Sequence, residues 1–264
     1  MGQVARALIW HEFRERLRDR WVLVIGALFA LLASGVSLYG RSADASAGLV
    51  GPSLVTLISL FVPLVALVLG HDAIVGERER NTLGLLLSLP IRRAEVVVAK
   101  FFGRAGAMIV ATSTGLLAAI LLAAPPHRPV LANLIGPTLL LGGAFLSVGL
   151  MLSTAVVRQV TAASLVVAIW FLFVFFYDLG LLGLMVITDG GVSEGLITSL
   201  VVFNPAGLFR LEMLARFAGP NALQEMGMAT PLPPLGLRAP VWAVWVTAPV
   251  ALSALLLARG EAVR

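Results

Sequence analysis

Few residues in this sequence are of the types that carry out catalysis or bind metals. There is no cysteine, and the three histidines have no spacing that would bring them together as metal ligands. The only lysine, Lys100, is followed by Phe101 and lies outside any GxxxxGK[ST] loop, so nothing here cradles nucleotide phosphates. The sequence therefore predicts a protein that is not an enzyme, with no metal site and no directly bound cofactor.

The clearest chemical signal is an acidic residue inside an apolar run, FFYDLGLLGLMV, in which Asp178 follows Tyr177. An ionisable group at the centre of a bilayer costs about 2.5 to 3.5 kcal/mol, and less towards the edge, so it needs a partner or water. Two interpretations stay open. Tyr177 and Asp178 line a transport pathway or gate, or Asp178 is a carboxylate paired structurally near the outer interface.

The composition indicates the elements that must position these residues. Hydrophobic residues make up 59% of the 264 residues and the mean hydropathy is +0.98, which is too apolar for a soluble core of this length. A helix needs about 20 apolar residues to cross the hydrocarbon core. Six segments qualify, and they predict an all-α membrane protein with one transmembrane domain over residues 1–264: 21–39, 49–74, 101–124, 129–157, 161–187 and 241–258.

The basic residues orient this predicted bundle. Fourteen of the nineteen lie before the first segment, between the second and third, between the fourth and fifth, or after the sixth. The positive-inside rule therefore predicts that both termini are cytoplasmic, in a bacterial inner membrane. The pI of about 10.9 then reflects membrane topology, and we expect no nucleic-acid partner.

Residues 3–20 have the pattern of an amphipathic helix at the membrane surface. Trp10, Phe13 and Leu17 fall on one face, and Glu12 falls on the opposite face. The apolar run that follows, 21–39, is longer than the core of a typical signal peptide, so we expect no cleavage. The prediction is an interfacial elbow helix before the first span.

The stretch GERERNTLGLLLSLPIRR opens a segment, 76–100, that is too short to span and contains many charges. A helix from Glu77 would place Asn81 and Ser88 on the same face as Glu77, with leucines around most of the remaining surface of the helix. Each leucine left in water forfeits about 1.5 to 3 kcal/mol of burial. The segment is therefore either an ordinary interfacial connector or a docking helix for a cytoplasmic subunit.

This stretch resembles the segment between spans two and three of type-2 (type V, ABCG-like) ABC exporter permeases, whose usual form is close to GERERGTLELLLSLPISR. Asn81 stands where glycine is common, and Gly84 where glutamate is common. The resemblance implies a homodimer of six-helix units, each preceded by an elbow helix, with ATP and Mg²⁺ bound by a separate cytoplasmic ATPase. It also implies the residues that couple to that ATPase: Glu77, Arg78, Glu79, Arg80, Asn81, Thr82, Leu83, Leu86 and Leu87.

The largest predicted loop, 188–240, lies on the periplasmic side by the charge argument. Asn204 and Pro205 read as the N-cap and first residue of a helix that carries LFRLEMLARF. Short helices here would form a platform for a periplasmic protein. Met226 and Met228 carry thioethers, which suit Cu(I), but two methionines alone do not predict a metal site.

The runs YDLGLLGLMV and VVFNPAGLFRLEML resemble the branch of this family that supports maturation of the copper-sulfur sites of nitrous oxide reductase. The resemblance implies a periplasmic copper-handling partner, with Asn204, Pro205, Phe209 and Arg210 as candidate contacts. It implies either export of a sulfur species or transmission of ATPase motion. Two alternatives stay open: a general exporter of a lipid or drug, and a secondary transporter, which would have more ionisable residues within its spans.

Overall fold

The computed structural model describes residues 2–42, 50–218 and 233–259, and these residues form helices with no strand among them. The helices, numbered in chain order, are α1 Gln3–Leu17, α2 Arg20–Ser42, α3 Val50–Gly70, α4 Val75–Glu79, α5 Leu83–Leu87, α6 Arg93–Leu122, α7 Arg128–Ala132, α8 Ile135–Ala155, α9 Gln159–Phe171, α10 Tyr177–Ile187, α11 Glu194–Phe203, α12 Pro205–Ala218 and α13 Leu235–Arg259. Met226 and Met228 lie outside the described residues.

Six stretches are long and apolar enough to cross a membrane: Val22–Arg41, Val50–Glu79, Arg93–Leu122, Ile135–Ala155, Gln159–Ile187 and Leu235–Arg259. This confirms the predicted all-helical fold with six candidate spans. Four boundaries differ from the sequence prediction by five residues or more, and two of them are the end of the second span at Glu79 and the start of the sixth at Leu235. The third span begins at Arg93 and so includes Lys100, and the fourth begins only at Ile135, after the short helix α7.

The centre of the bundle is the pair α3 and α8, with α2, α6 and α13 packed around it. Gly70 of α3 meets Gly149 of α8 so closely that a Cβ on Gly70 would lie 2.8 Å from the Cα of Gly149. Small residues permit this approach, as is common between membrane helices.

The fifth span is one continuous helix with a π-helical turn, Leu172–Phe176, between α9 and α10. Such turns widen the helix and free backbone carbonyls from their usual partners. Here the side-chain amide of Asn204 donates to the carbonyl of Phe173 over 2.9 Å. The π turn therefore forms where the chain between α11 and α12 packs against the fifth span.

Helices α11 and α12 meet at an angle of 110° at Asn204. The carboxamide oxygen of Asn204 accepts from the backbone N–H of Ala206 at 3.0 Å, and α12 begins at Pro205, as the sequence predicted. We call the half of the bundle that extends from Asn204, Pro205 and Ala206, beside the middle of the fifth span, to the first residues of α8 and α13 the NPA end. The opposite part, which holds α1, α4 and α5, is called the arginine-rich end.

Candidate functional site

The candidate site is the segment 75–92 at the arginine-rich end, and its backbone differs from the sequence prediction. The single helix predicted from Glu77 is wrong, because the chain forms two short helices, α4 and α5. Asn81 lies between them with a φ of 57°. This left-handed conformation suits glycine and asparagine. It explains why Asn81 occupies a position where glycine is common in the family that the sequence resembles.

The break at Asn81 decides which leucines are accessible. Leu83, predicted to face a partner, is only 6% exposed and packs into the core of the bundle. Leu86 and Leu87 are half-buried against the same core. Leu85 is 71% exposed, and Leu89 is exposed as well. We call the surface formed by Gly84, Leu85, Ser88 and Leu89 the leucine face; among these, Leu85 and Leu89 replace Leu83 as docking candidates.

The charged residues of α4 mostly bind the permease itself. Glu77 accepts from the ammonium of Lys100 at 2.9 Å and from the hydroxyl of Thr82. The guanidinium of Arg78 donates to the carbonyl of Val156, and Glu79 accepts from the backbone N–H of Gln159 at 2.6 Å. These side chains therefore attach the segment to the ends of the third, fourth and fifth spans.

The contact of Glu77 with Lys100 belongs to a larger network of buried charged residues beneath α4. Arg104 of α6 donates to Glu12 of α1 at 3.1 Å and to Asp72 at 2.5 Å. Arg16, one turn after Glu12, contacts the second oxygen of Asp72 at 2.9 Å. Lys100 donates to both Glu12 and Glu77. We call Glu12, Arg16, Asp72, Lys100 and Arg104 the ion-pair network.

The electrostatics of the network follow from its burial. All five side chains belong to buried residues, and Lys100 is fully buried. Burial alone would raise the pKa of Glu12, but the positive charges of Arg104 and Lys100 outweigh it and hold that pKa below its ordinary value. Buried charges that have several partners tolerate desolvation, whereas removing one partner leaves an uncompensated charge.

Sequence reasoning missed this network. It counted Lys100 and Arg104 only among the basic residues of the cytoplasmic side, and it placed Glu12 on the face of the elbow helix opposite the apolar one. In the structure α1 packs on α6, and Glu12 and Arg16 face the bundle while Trp10 is exposed. The i, i+4 spacing of Glu12 with Arg16 and of Lys100 with Arg104 was a signal, because each pair lies on one helix face.

The NPA end joins two groups of residues that the sequence analysis treated separately. Arg210, a candidate partner contact, forms an ion pair with Asp178, the pathway candidate, at 2.5 Å. The hydroxyl of Tyr177 donates to the carbonyl of Leu200 at 2.7 Å. This geometry agrees with the interpretation of Asp178 as a paired carboxylate, while its role in gating stays a prediction.

The other candidate partner contacts lie inside the bundle. Asn204, Pro205 and Phe209 are buried, and Phe209 has no exposed surface. A second protein would not reach these side chains, so the prediction that they form a docking surface requires correction. Asn204 and Pro205 form the junction between α11 and α12, and Phe209 packs in the core of the bundle. Within the described residues, no group of three or more acidic or histidine side chains is arranged to hold a metal ion.

Known proteins match this chain over most of its length. The model of a family described as ABC-2 family transporter protein matches residues 6–261. A probable ABC transporter permease protein NosY from Pseudomonas aeruginosa is 35% identical over 235 residues, 84% of this chain and 86% of that protein. A protein of the same name from Stutzerimonas stutzeri is 36% identical over 236 residues, with the same coverage. The chain therefore belongs to the ABC-2 transporter family and is an ABC transporter permease of the NosY type.

Proposed function

We propose that the leucine face is the surface through which this permease receives mechanical work from a cytoplasmic ATPase. A permease subunit is not itself an enzyme, and ATP hydrolysis belongs to a separate subunit. The observation that carries the proposal is Leu85, which is 71% exposed on a helix of five residues. A single exposed leucine is common on protein surfaces. Leu85 and Leu89 together, however, form an apolar surface that a partner can cover.

The ion-pair network supports the proposal, because it connects the segment 75–92 to other helices that would have to move with it. Glu77, at the start of the docking segment, binds Lys100 in the third span, and Lys100 binds Glu12 in α1. A partner that displaces α4 and α5 therefore acts on the third span and on the elbow helix through buried charged contacts. Glu79, bound to the N-terminus of α9, gives a further connection to the fifth span.

We further propose the biological setting of this activity. The resemblance to NosY supports a homodimer in the bacterial inner membrane with both termini cytoplasmic, two NosF-like ATPases that bind ATP and Mg²⁺, and a periplasmic NosD-like partner. The function would be copper-sulfur site maturation of nitrous oxide reductase. Either a sulfur species would be exported, with Tyr177 and Asp178 on or beside its pathway, or ATPase motion would be passed to the NosD-like protein.

The docking role is tested by co-purification of the tagged permease with a NosF-like ATPase. Leu85→Asp should abolish ATPase recovery, because a carboxylate would be desolvated in the covered interface. Val160→Asp is the matched control, since Val160 is a similarly exposed apolar residue at the arginine-rich end but outside the segment 75–92. Both variants should insert into the membrane normally. Undiminished ATPase recovery with Leu85→Asp would refute the docking role.

The biological setting is tested in cells that depend on this gene for nitrous oxide reductase maturation. Deletion should leave the reductase without its copper-sulfur sites, as measured by copper content and absorption spectrum. Co-purification with a NosD-like protein should survive Leu85→Asp, because that substitution lies at the opposite end of the bundle. A fully loaded reductase in the deletion strain would favour the alternative, a general exporter of a lipid or drug.

A further inference from the structure

The NPA end contains a groove that the proposed coupling function does not use. It is a cavity of about 750 Å³ between α8, α12 and α13. Along α13 its lining residues run from Leu235 to Thr247, which is about 18 Å of helix at 1.5 Å per residue. The groove is therefore long enough for a headgroup and part of an acyl chain.

The two parts of the groove differ in polarity. At its mouth lie Glu212 and Arg216 of α12 and Arg238 in the first turn of α13. Further along α13 the walls are apolar and include Ala243 and Val246. The polar part of the groove lies at the first residues of α8 and α13, and the apolar part extends towards the middle of these spans. This is the order of polarity that a membrane lipid has along its own length.

The mouth of the groove carries an excess of positive charge. Arg238 donates to Glu212 at 2.7 Å, so this pair is neutral. Arg216 is exposed and adds one positive charge to the lining. Arginine recognises phosphate oxygens through a planar set of donors, and basic pockets between membrane helices favour anionic headgroups.

Two donors in the lining lack acceptors. Within the described structure, Nε of Arg238 and Nε1 of Trp242 are buried and have no hydrogen-bond partner. A buried donor without an acceptor is costly, so side chains that line a cavity with free donors favour a ligand rich in acceptor oxygens. A phosphodiester supplies such oxygens and a negative charge that offsets Arg216.

We propose that this groove binds one anionic phospholipid of the surrounding bilayer. The phosphodiester lies at the mouth near Arg216, Arg238 and Trp242, and an acyl chain follows the apolar wall of α13. An anionic lipid such as phosphatidylglycerol fits better than phosphatidylethanolamine, because the ammonium group of the latter would meet the excess positive charge. The inference concerns a lipid site of the permease and does not depend on the ATPase contact.

The test measures lipids retained by the purified full-length permease in micelles doped with phosphatidylglycerol or phosphatidylethanolamine, by native mass spectrometry. The unmodified chain should retain one phosphatidylglycerol per permease chain in preference to phosphatidylethanolamine. Arg216→Gln should weaken retention about tenfold, the loss expected for one charge-assisted hydrogen bond. Trp242→Phe removes the indole N–H but keeps an aromatic side chain and the pair of Glu212 with Arg238, and it should weaken retention by about threefold.

Arg41→Gln is the control, because Arg41 is exposed at the same end of the bundle but does not line the groove. Its lipid retention should equal that of the unmodified chain. Equal retention of phosphatidylglycerol by the unmodified chain, Arg216→Gln and Trp242→Phe would overturn the proposal. Equal retention of the two lipids would also overturn it. Competition by inorganic phosphate at the concentration of the lipid would assign the site to free phosphate and refute the lipid as its ligand.

Discussion

The two ends of the bundle hold their helices together in different ways. At the arginine-rich end, each member of the ion-pair network is buried and contacts at least two other charged side chains. At the NPA end the ion pairs are separate from one another: Asp178 with Arg210, whose side chains are 36% and 29% exposed, and the less exposed pair of Glu212 with Arg238. The second arrangement is supplemented by neutral hydrogen bonds, such as that from Trp245 to the carbonyl of Phe203.

This difference indicates different mechanical properties. A buried charge with two partners cannot leave one of them without a large desolvation cost, so the helices that carry the network move together. A half-exposed pair can exchange its partner for water at little cost. We therefore expect the arginine-rich end to transmit displacement and the NPA end to accommodate it, and the following predictions test that contrast.

The largest expected effect is the loss of a cation from the network. Arg104→Met leaves Glu12 and Asp72 without their shared partner in a buried site, and we expect a loss of about 3–5 kcal/mol in unfolding free energy. Denaturant or thermal unfolding of the purified permease in detergent measures it. Arg158→Met, at an exposed arginine of the same end, is the control. A loss of under about 1 kcal/mol in Arg104→Met would contradict a cooperative network.

Acid should weaken the same network. The pKa of Glu12 in the folded state is below its ordinary value of 4.5, so its contribution to stability is complete above about pH 4.5. As the pH falls, the unfolded chain takes up the proton first, and the contribution is lost through the lower folded-state pKa. Unfolding curves between pH 7 and pH 3 should show this decline. Glu12→Gln should flatten it, and an unchanged acid limb in that variant would exclude Glu12 as its cause.

At the NPA end a neutral residue, Asn204, should have a larger effect than the half-exposed ion pair of Asp178 with Arg210. Asn204→Ala removes the cap on Ala206 and leaves the carbonyl of Phe173 in the π turn without its donor, so we expect a loss of about 1–3 kcal/mol. Thermal unfolding measures the loss. Ser199→Ala on α11 is the control, because its hydroxyl is bonded only within its own helix. Equal stability of Asn204→Ala and Ser199→Ala would show that the junction of α11 and α12 does not depend on Asn204.

Hydropathy and local capping rules predicted much of this molecule. The six spans follow from apolar length, and the start of α12 follows from Asn204 and Pro205, because both signals are local in sequence. The ion-pair network could not be predicted in the same way. Lys100 and Glu12 are 88 positions apart, so their contact depends on how α1 packs against α6. Charge counting assigned Lys100 to a side of the membrane and gave no information about its partner.

The exposed leucines of the leucine face could not be predicted from helical periodicity. A continuous helix from Glu77 fixes the direction of every following side chain, so one break changes the direction of all of them. The positive φ of Asn81 makes that break, with Leu83 turned into the core and Leu85 turned outward. The sequence marks the position only by an asparagine where glycine is common. Local patterns located an exposed leucine-rich segment on the chain, but they did not identify which of its leucines is exposed.

The smallest effect on stability, and the sharpest test of function, should come from Asp178. Asp178→Asn and Arg210→Gln each remove one member of a half-exposed pair, so each should cost at most about 1 kcal/mol in unfolding free energy. If the pair is only structural, both variants should support reductase maturation equally well, as measured by copper content. If the carboxylate lines a pathway or gate, Asp178→Asn should abolish maturation while Arg210→Gln retains part of it. The two variants therefore separate the gating interpretation of Asp178 from the structural one, because they break the same ion pair but only one of them removes the carboxylate.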